Sequence, residues 1–180
     1  MPILRYEGSV HIVAAQPQLE HAMQDIFQES VVGFDTETRP AFTPGERYLP
    51  SLVQLATASA VYLVKIQQRD LFGAMRQILS SEKIIKAGVS MTDDIRDLQR
   101  LFEFDERSMV DLGKIARRNG LKQMGVRNLA GIFLARRIPK GAKTTNWAAR
   151  HLTPQQIAYA ATDAWACREL YLRFKELNMI

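Results

Sequence analysis

A chain of 180 residues with 47% hydrophobic and 24% charged residues is long enough to bury a core and is neither disordered nor low-complexity in composition. One cysteine, Cys167, excludes an intramolecular disulfide, and no apolar run is long enough to span a bilayer as a helix. The net charge of +5 is unevenly spread: residues 107–150 hold eleven Lys or Arg against a single acid, Asp111. Such a block suits a polyanion, or else it is a set of solvated basic helix faces.

The first residues, Met1 to Val13, include Arg5, Glu7 and His11 and do not read as a signal peptide. The expectation is one cytoplasmic domain over residues 1–180, with no accessory domain and no membrane association. Val10-His11-Ile12-Val13 reads as a short strand. Gln16-Pro17 opens a helix that carries Leu19, Ala22, Met23, Ile26 and Phe27 at helical spacing. Val31-Val32-Gly33-Phe34 then reads as a buried strand that ends in Asp35-Thr36-Glu37.

A loop with three prolines and Gly45 fills residues 38–50. Leu52–Thr57 and Val61–Val64 form a hairpin around Ala58-Ser59. A helix carries Leu71, Met75, Ile78 and Leu79 on one face, and Ile84–Val89 is the next strand. Ser90-Met91-Thr92-Asp93 has the pattern of a capping box for a helix that runs to about Phe102. Met109-Val110 is a last short strand. Helices over Asp111–Asn119 and Val126–Leu134 follow, then a basic loop over residues 136–151. Thr153-Pro154-Gln155-Gln156 is a strong helix start: an N-cap, a first-turn proline and a glutamine at N3. This order gives a mixed sheet with helices packed on it.

Several acids stand where apolar residues are expected. Asp35 and Glu37 are two apart on a strand, so they share one face. Two like charges there need a cation or solvent, and a divalent metal takes oxygen ligands; the alternative is a strand that has reached its polar end. In the helix after Gly88, Asp93 lies opposite the apolar stripe and Asp97 at a right angle to it. Asp94 lies only about 50° from the stripe's centre. It needs a partner, either a metal or a base such as Arg96. On the last helix Tyr159 and Asp163 are at i and i+4, and Asp163 falls at the edge of an apolar stripe among Ala160, Ala161 and Ala164. Taken alone they read as a structural hydrogen-bonded pair sooner than as a catalytic one.

Together, Phe34-Asp35-Thr36-Glu37-Thr38, Lys86-Ala87-Gly88-Val89 with Asp94, and Tyr159-Ala160-Ala161-Thr162-Asp163-Ala164 resemble the three motifs of the DEDD 3′–5′ exonucleases. The tyrosine four residues before the last aspartate marks the DEDDy branch. Ala158 stands where the DEDDh branch has histidine. Pro50–Leu55, Asn146-Trp147 and Leu152–Gln156 resemble the ribonuclease D and Werner-syndrome exonuclease group. The resemblance covers about residues 10–175.

It implies an α/β, ribonuclease H-like fold: a mixed five-stranded sheet, three antiparallel then two parallel strands, with flanking helices. The implied reaction is metal-dependent hydrolysis of the 3′-terminal phosphodiester of RNA or DNA, with release of nucleoside 5′-monophosphates. Two divalent ions, Mg²⁺ or Mn²⁺, serve it. Asp35 would bridge both ions, Glu37 and Asp163 would hold the one that binds the attacking water, and Asp94 would support the other. Tyr159 would orient the water.

Thr38 and Phe42 match positions that touch the 3′-terminal nucleotide, Phe42 as a stacking platform or as loop packing. Arg136, Arg137, Lys140 and Lys143 are candidate phosphate contacts. Trp147 reads as core, and His11, His21 and His151 show no ligand spacing. Ribonuclease D carries helical domains beyond its nuclease domain, so short single strands are the expected substrates here. Homo-oligomerisation is another source of binding surface. The rival reading is an inactive nucleic-acid-binding module of the same fold, although all four acids and the tyrosine are present.

Overall fold

The run Val31–Glu37 becomes the middle of the structure because it is apolar on both faces for its first four residues. A computed structural model describes residues 1–141 and 145–180. Its strands are β1 (Ser9–Val13), β2 (Val31–Glu37), β3 (Leu52–Ala56), β4 (Ala60–Val64), β5 (Ile85–Gly88) and β6 (Met109–Asp111). They form one sheet in the order β1-β4-β3-β2-β5-β6. β2, β3 and β4 are antiparallel neighbours, and β5 and β6 continue parallel to β2.

The five-stranded sheet implied by the resemblance is therefore one strand short. β1 adds a sixth by pairing parallel to the outer edge of β4, Ser9 opposite Ala60 and Val13 opposite Val64. Its pairing satisfies backbone groups that β4 would otherwise leave open. The hairpin forms as expected, and the Asp25 carboxylate holds its turn by accepting from the Thr57 and Ser59 hydroxyls at 2.7 and 3.1 Å.

Alternation along β2 divides the core. Val32 and Phe34 pack on the side of α1 (Gln16–Ile26), α2 (Phe72–Leu79) and α3 (Thr92–Leu101). Val31 packs on the other side with residues of α4 (Leu112–Arg118), α5 (Val126–Leu134) and α6 (Pro154–Glu176). The start of α6 is the capping box read from the sequence: Gln156 N donates to Thr153 Oγ1 at 3.1 Å, and Thr153 N donates to Gln156 Oε1 at 2.9 Å. Among the described residues no helix is long and apolar enough to cross a membrane.

The box expected at Ser90 does not form. Ser90 takes a left-handed conformation with φ 57°, and Met91 is the N-cap of α3, without a side-chain cap. The free amides at this helix start are met from β6 instead: Ser90 N and Met91 N donate to Asp111 Oδ1 and Oδ2 at 3.2 and 3.1 Å. Asp111 also caps α4, accepting from Gly113 N and Lys114 N at 3.0 and 3.3 Å. One carboxylate thus ties together the starts of two helices, at the end of the sheet where the acids lie.

Candidate active site

Asp35 and Glu37 leave β2 on the face covered by α6. Thr36, between them, points to the face of α3. Asp163 comes down from α6, which lies against β2 by a backbone-to-backbone approach at Gly33 and Ala164. Ligand oxygens of Asp35, Glu37 and Asp163 all lie within 4.8 Å of one another. The separate signals at the end of a strand and in the middle of a helix thus form one cluster. Carboxylates at this spacing are compatible with a divalent cation.

Electrostatics mark the cluster as incomplete by itself. Burial, and then the neighbouring charge of Asp163, hold the Asp35 carboxyl well above the usual range, against a hydrogen bond from its neighbour Thr36 N at 2.8 Å. Burial also raises Glu37, reinforced by Asp35 and Asp163. Asp163 is raised by burial; the Tyr159 hydroxyl facing it and the charge of Arg127 oppose the rise. Asp163 Oδ1 is buried without a hydrogen-bond partner. An acceptor left bare among other acceptors is what a cation would satisfy. Asp35, Glu37 and Asp163 therefore fit a metal ion on chemical grounds.

Asp94 stands apart from that trio, at the first turn of α3, half-buried. The alternative partner proposed from sequence does not take it, because Arg96 pairs with Asp93 at 3.2 Å. Asp97 pairs with Arg47 at 2.6 Å and Arg100 at 3.2 Å. Burial lifts the Asp94 carboxyl to about 6; the Thr36 hydroxyl lies close enough to oppose this, although it stops short of hydrogen-bond geometry. Asp94 thus approaches the end of β2 from the α3 side, while the trio forms on the α6 side. The charge of Asp94 still reaches Asp35 and Glu37, raising both.

Tyr159 lies one turn before Asp163. Its ring is tilted against Trp147, with centroids 5.9 Å apart, and Trp147 is fully buried core as expected. Gly141 packs on the ring so closely that a Cβ there would come within 2.0 Å of it. Burial, then the charges of Asp163, Glu37 and Asp35, push the Tyr159 phenol upward, so it stays protonated. It can hold or orient an oxygen as a hydrogen-bond donor or acceptor.

The expected substrate contacts are scattered more widely. Thr38 directly follows Glu37 at the end of β2 and is half-buried. Phe42 is 82% exposed, so it does not pack within its loop. That loop is held by Arg39 stacked on Tyr48 at 4.0 Å and by the Arg47–Asp97 pair. Lys140 lines a cavity of about 440 Å³ together with Arg5, Gly141 and Tyr159. Arg136 and Arg137 are exposed beyond α5, where the Arg137 backbone pairs with Pro2 and Leu4. Lys143 lies outside the described residues.

Three participants escaped the sequence reading. Gln54 donates from Nε2 to Glu37 Oε1 at 3.3 Å; the available signal was a polar residue in the middle of an otherwise apolar strand. Arg127, held by Nε to Ile138 O at 3.1 Å, has its charge within reach of Asp163. Asp111 was visible as the lone acid of a basic segment and as the start of a helix, but not as the acceptor for the Ser90 and Met91 amides.

A mixed sheet with helices on both faces, carrying a carboxylate trio at the end of its central strand, is an architecture of the ribonuclease H-like fold. Residues 10–177 match the family model described as 3′–5′ exonuclease, and the chain belongs to that family. It is 30% identical over 194 residues to the mouse bifunctional 3′–5′ exonuclease/ATP-dependent helicase WRN, covering 99% of this chain and 13% of that protein. It is 36% identical over 149 residues to ribonuclease D of Haemophilus influenzae, covering 80% of this chain and 36% of that one. The chain therefore spans only a minor part of either relative. Among solved structures, the exonuclease domain of Aedes aegypti Nibbler superposes with a TM-score of 0.84 at 24% identity, over 99% of this chain and 93% of that one.

Proposed function

We propose that this chain is an active 3′–5′ exonuclease of the DEDDy type, which hydrolyses the 3′-terminal phosphodiester of single-stranded RNA or DNA and releases nucleoside 5′-monophosphates. The observation that carries the reading is the convergence of Asp35, Glu37 and Asp163 within 4.8 Å, with Asp94 and Tyr159 at its border. An inactive binding module would have no need to keep three carboxyls, two buried and one half-buried, in mutual repulsion.

Asp35, Glu37 and Asp163 would hold one divalent ion, and Asp35 with Asp94 a second, Mg²⁺ or Mn²⁺. Bound there, such ions lower the pKa of water and neutralise charge on a phosphoryl group. The protein's own share is positional. β2 fixes Asp35 and Glu37 side by side, and α6 fixes Asp163 and Tyr159 one turn apart. The Tyr159 hydroxyl, protonated at neutral pH, orients the attacking water rather than removing its proton. Phe42, exposed on its loop, offers a ring to the terminal base, and Thr38 lies beside the cluster for the last nucleotide. Lys140 and the exposed Arg136 and Arg137 offer sequence-independent phosphate contacts.

A time course on 5′-labelled single-stranded RNA and DNA, with Mg²⁺, Mn²⁺ or EDTA, tests this against Asp35→Ala. The expected result is a metal-dependent ladder that shortens from the 3′ end, absent in the variant, with a circular oligonucleotide left intact. Binding without shortening under either metal would give the inactive module instead.

A further inference from the structure

Gln54 occupies the middle of β3, between β2 and β4, and is fully buried. Every other residue of that strand is apolar: Leu52, Val53, Leu55 and Ala56. The register sets Gln54 directly across from Asp35, so its side chain leaves the sheet on the face that carries the carboxylate trio. Its Nε2 donates to Glu37 Oε1 at 3.3 Å, while its own Oε1 is buried without a partner.

An amide that uses only its donor half, at the centre of a sheet, is a poor choice for stability. An apolar side chain of the same length would leave no bare acceptor. The surroundings explain why only the donor half is used. When ionised, Asp35, Glu37 and Asp163 offer acceptors alone. A lysine or arginine in this place would also donate, but its charge would neutralise the cluster and compete with a cation. Glutamine donates without charge. It takes one oxygen of Glu37 and leaves Oε2, which accepts no hydrogen bond among the described residues.

We propose that Gln54 is a positioning residue for metal binding: its amide fixes the Glu37 carboxylate in the orientation that completes the cation site with Asp35 and Asp163. The inference rests on the reading of the trio as a metal site. Groups that orient metal ligands typically contribute about 10–100-fold in metal affinity.

The test is Gln54→Met, close in length and apolar, in the whole chain. Mn²⁺ binding is followed by electron paramagnetic resonance and calorimetry, and melting of the metal-free protein by circular dichroism. The expected result is an Mn²⁺ Kd raised about tenfold, with the melting temperature unchanged or higher. In a Glu37→Ala background, which removes the acceptor of the Gln54 amide, the same substitution should change the Kd less than about twofold, since its route to the metal is gone.

An unchanged Kd with a lowered melting temperature assigns Gln54 to packing alone and overturns the proposal. So does a tenfold loss that persists without Glu37. Should Gln54→Met not fold, Gln54→Asn, which keeps the amide but withdraws it from Glu37, must show the same weakened Mn²⁺ binding. Wild-type protein that binds no more Mn²⁺ than Asp35→Ala would overturn the metal-site reading itself, and this inference with it.

Discussion

Gly33 on β2 and Ala164 on α6 meet so closely that a Cβ on the glycine would stand 1.8 Å from the alanine carbonyl oxygen. The obstacle is backbone, not the tip of a flexible side chain, so α6 itself would have to move. Asp163 immediately precedes Ala164 on that helix, and Asp35 lies two positions beyond Gly33 along the strand. Helix-to-strand distance and the geometry of the trio are thus one quantity.

Gly33→Ala should therefore harm both stability and site. Overpacking of this kind costs about 1–3 kcal/mol, and denaturant unfolding should show a loss in that range or above. Mn²⁺ affinity should fall in the same variant, because Asp163 is displaced from Asp35 and Glu37. A variant of lowered stability that binds Mn²⁺ normally would show that the close approach serves packing only.

Much of this arrangement was legible in the sequence, because it rests on periodicity. The two-residue spacing put Asp35 and Glu37 on one face, and helical angles separated Asp94 from Asp93 and Asp97. The small side chains of Ala160, Ala161 and Ala164 beside Asp163 leave room for a close neighbouring strand, although nothing in their pattern names Gly33 as the partner. What remained hidden depends on register and long-range pairing. Gln54 meets Glu37 only because β3 pairs with β2 in one register. Asp111 reaches the start of α3 across 20 residues of chain and displaces the capping box that Ser90 and Asp93 suggested. The strand β1 was visible as a run, but its place beside β4 was not.

Neutralising one member of the trio should separate function from stability. Asp163→Asn removes a like charge from beside Asp35 and Glu37 and keeps the shape of the side chain. Without metal the variant should melt higher than wild type, by roughly 3 °C or more. Its 3′-shortening activity should fall by at least about 100-fold, since one of three cation ligands is weakened. Calorimetry in EDTA and the labelled-strand assay check the two halves independently.

Tyr159 calls for a different outcome. Tyr159→Phe keeps the ring between Trp147 and Gly141 and removes only the hydroxyl. Melting temperature and Mn²⁺ affinity should stay near wild type, while kcat falls on the order of 100-fold through loss of water orientation. Gly141→Ala acts on the same ring from outside, with a Cβ that would meet it at 2.0 Å. That variant should also lower kcat, with little change in metal binding. Equal loss of Mn²⁺ affinity in Tyr159→Phe would move the tyrosine from orienting water to building the metal site.

The pH dependence of stability follows from the same burial. Asp35, Glu37, Asp94 and Asp163 all hold their protons more tightly in the folded chain than ordinary carboxyl groups do, chiefly through burial. The folded state therefore binds more protons than the unfolded state above the ordinary carboxyl range near pH 4. This contribution is complete below about pH 4. It is lost as pH rises through the folded values, about 6 in the case of Asp94. In EDTA the melting temperature should fall between pH 5 and pH 8, by roughly 4 °C or more. Mn²⁺ should reverse the loss, raising the melting temperature more at pH 8 than at pH 5, because protons and the cation compete for the same oxygens. Asp163→Asn should flatten the profile in EDTA. A melting temperature that rises with pH in EDTA would mean that the four carboxyls are ionised at little expense, and the mutual repulsion inferred for the cluster would be wrong.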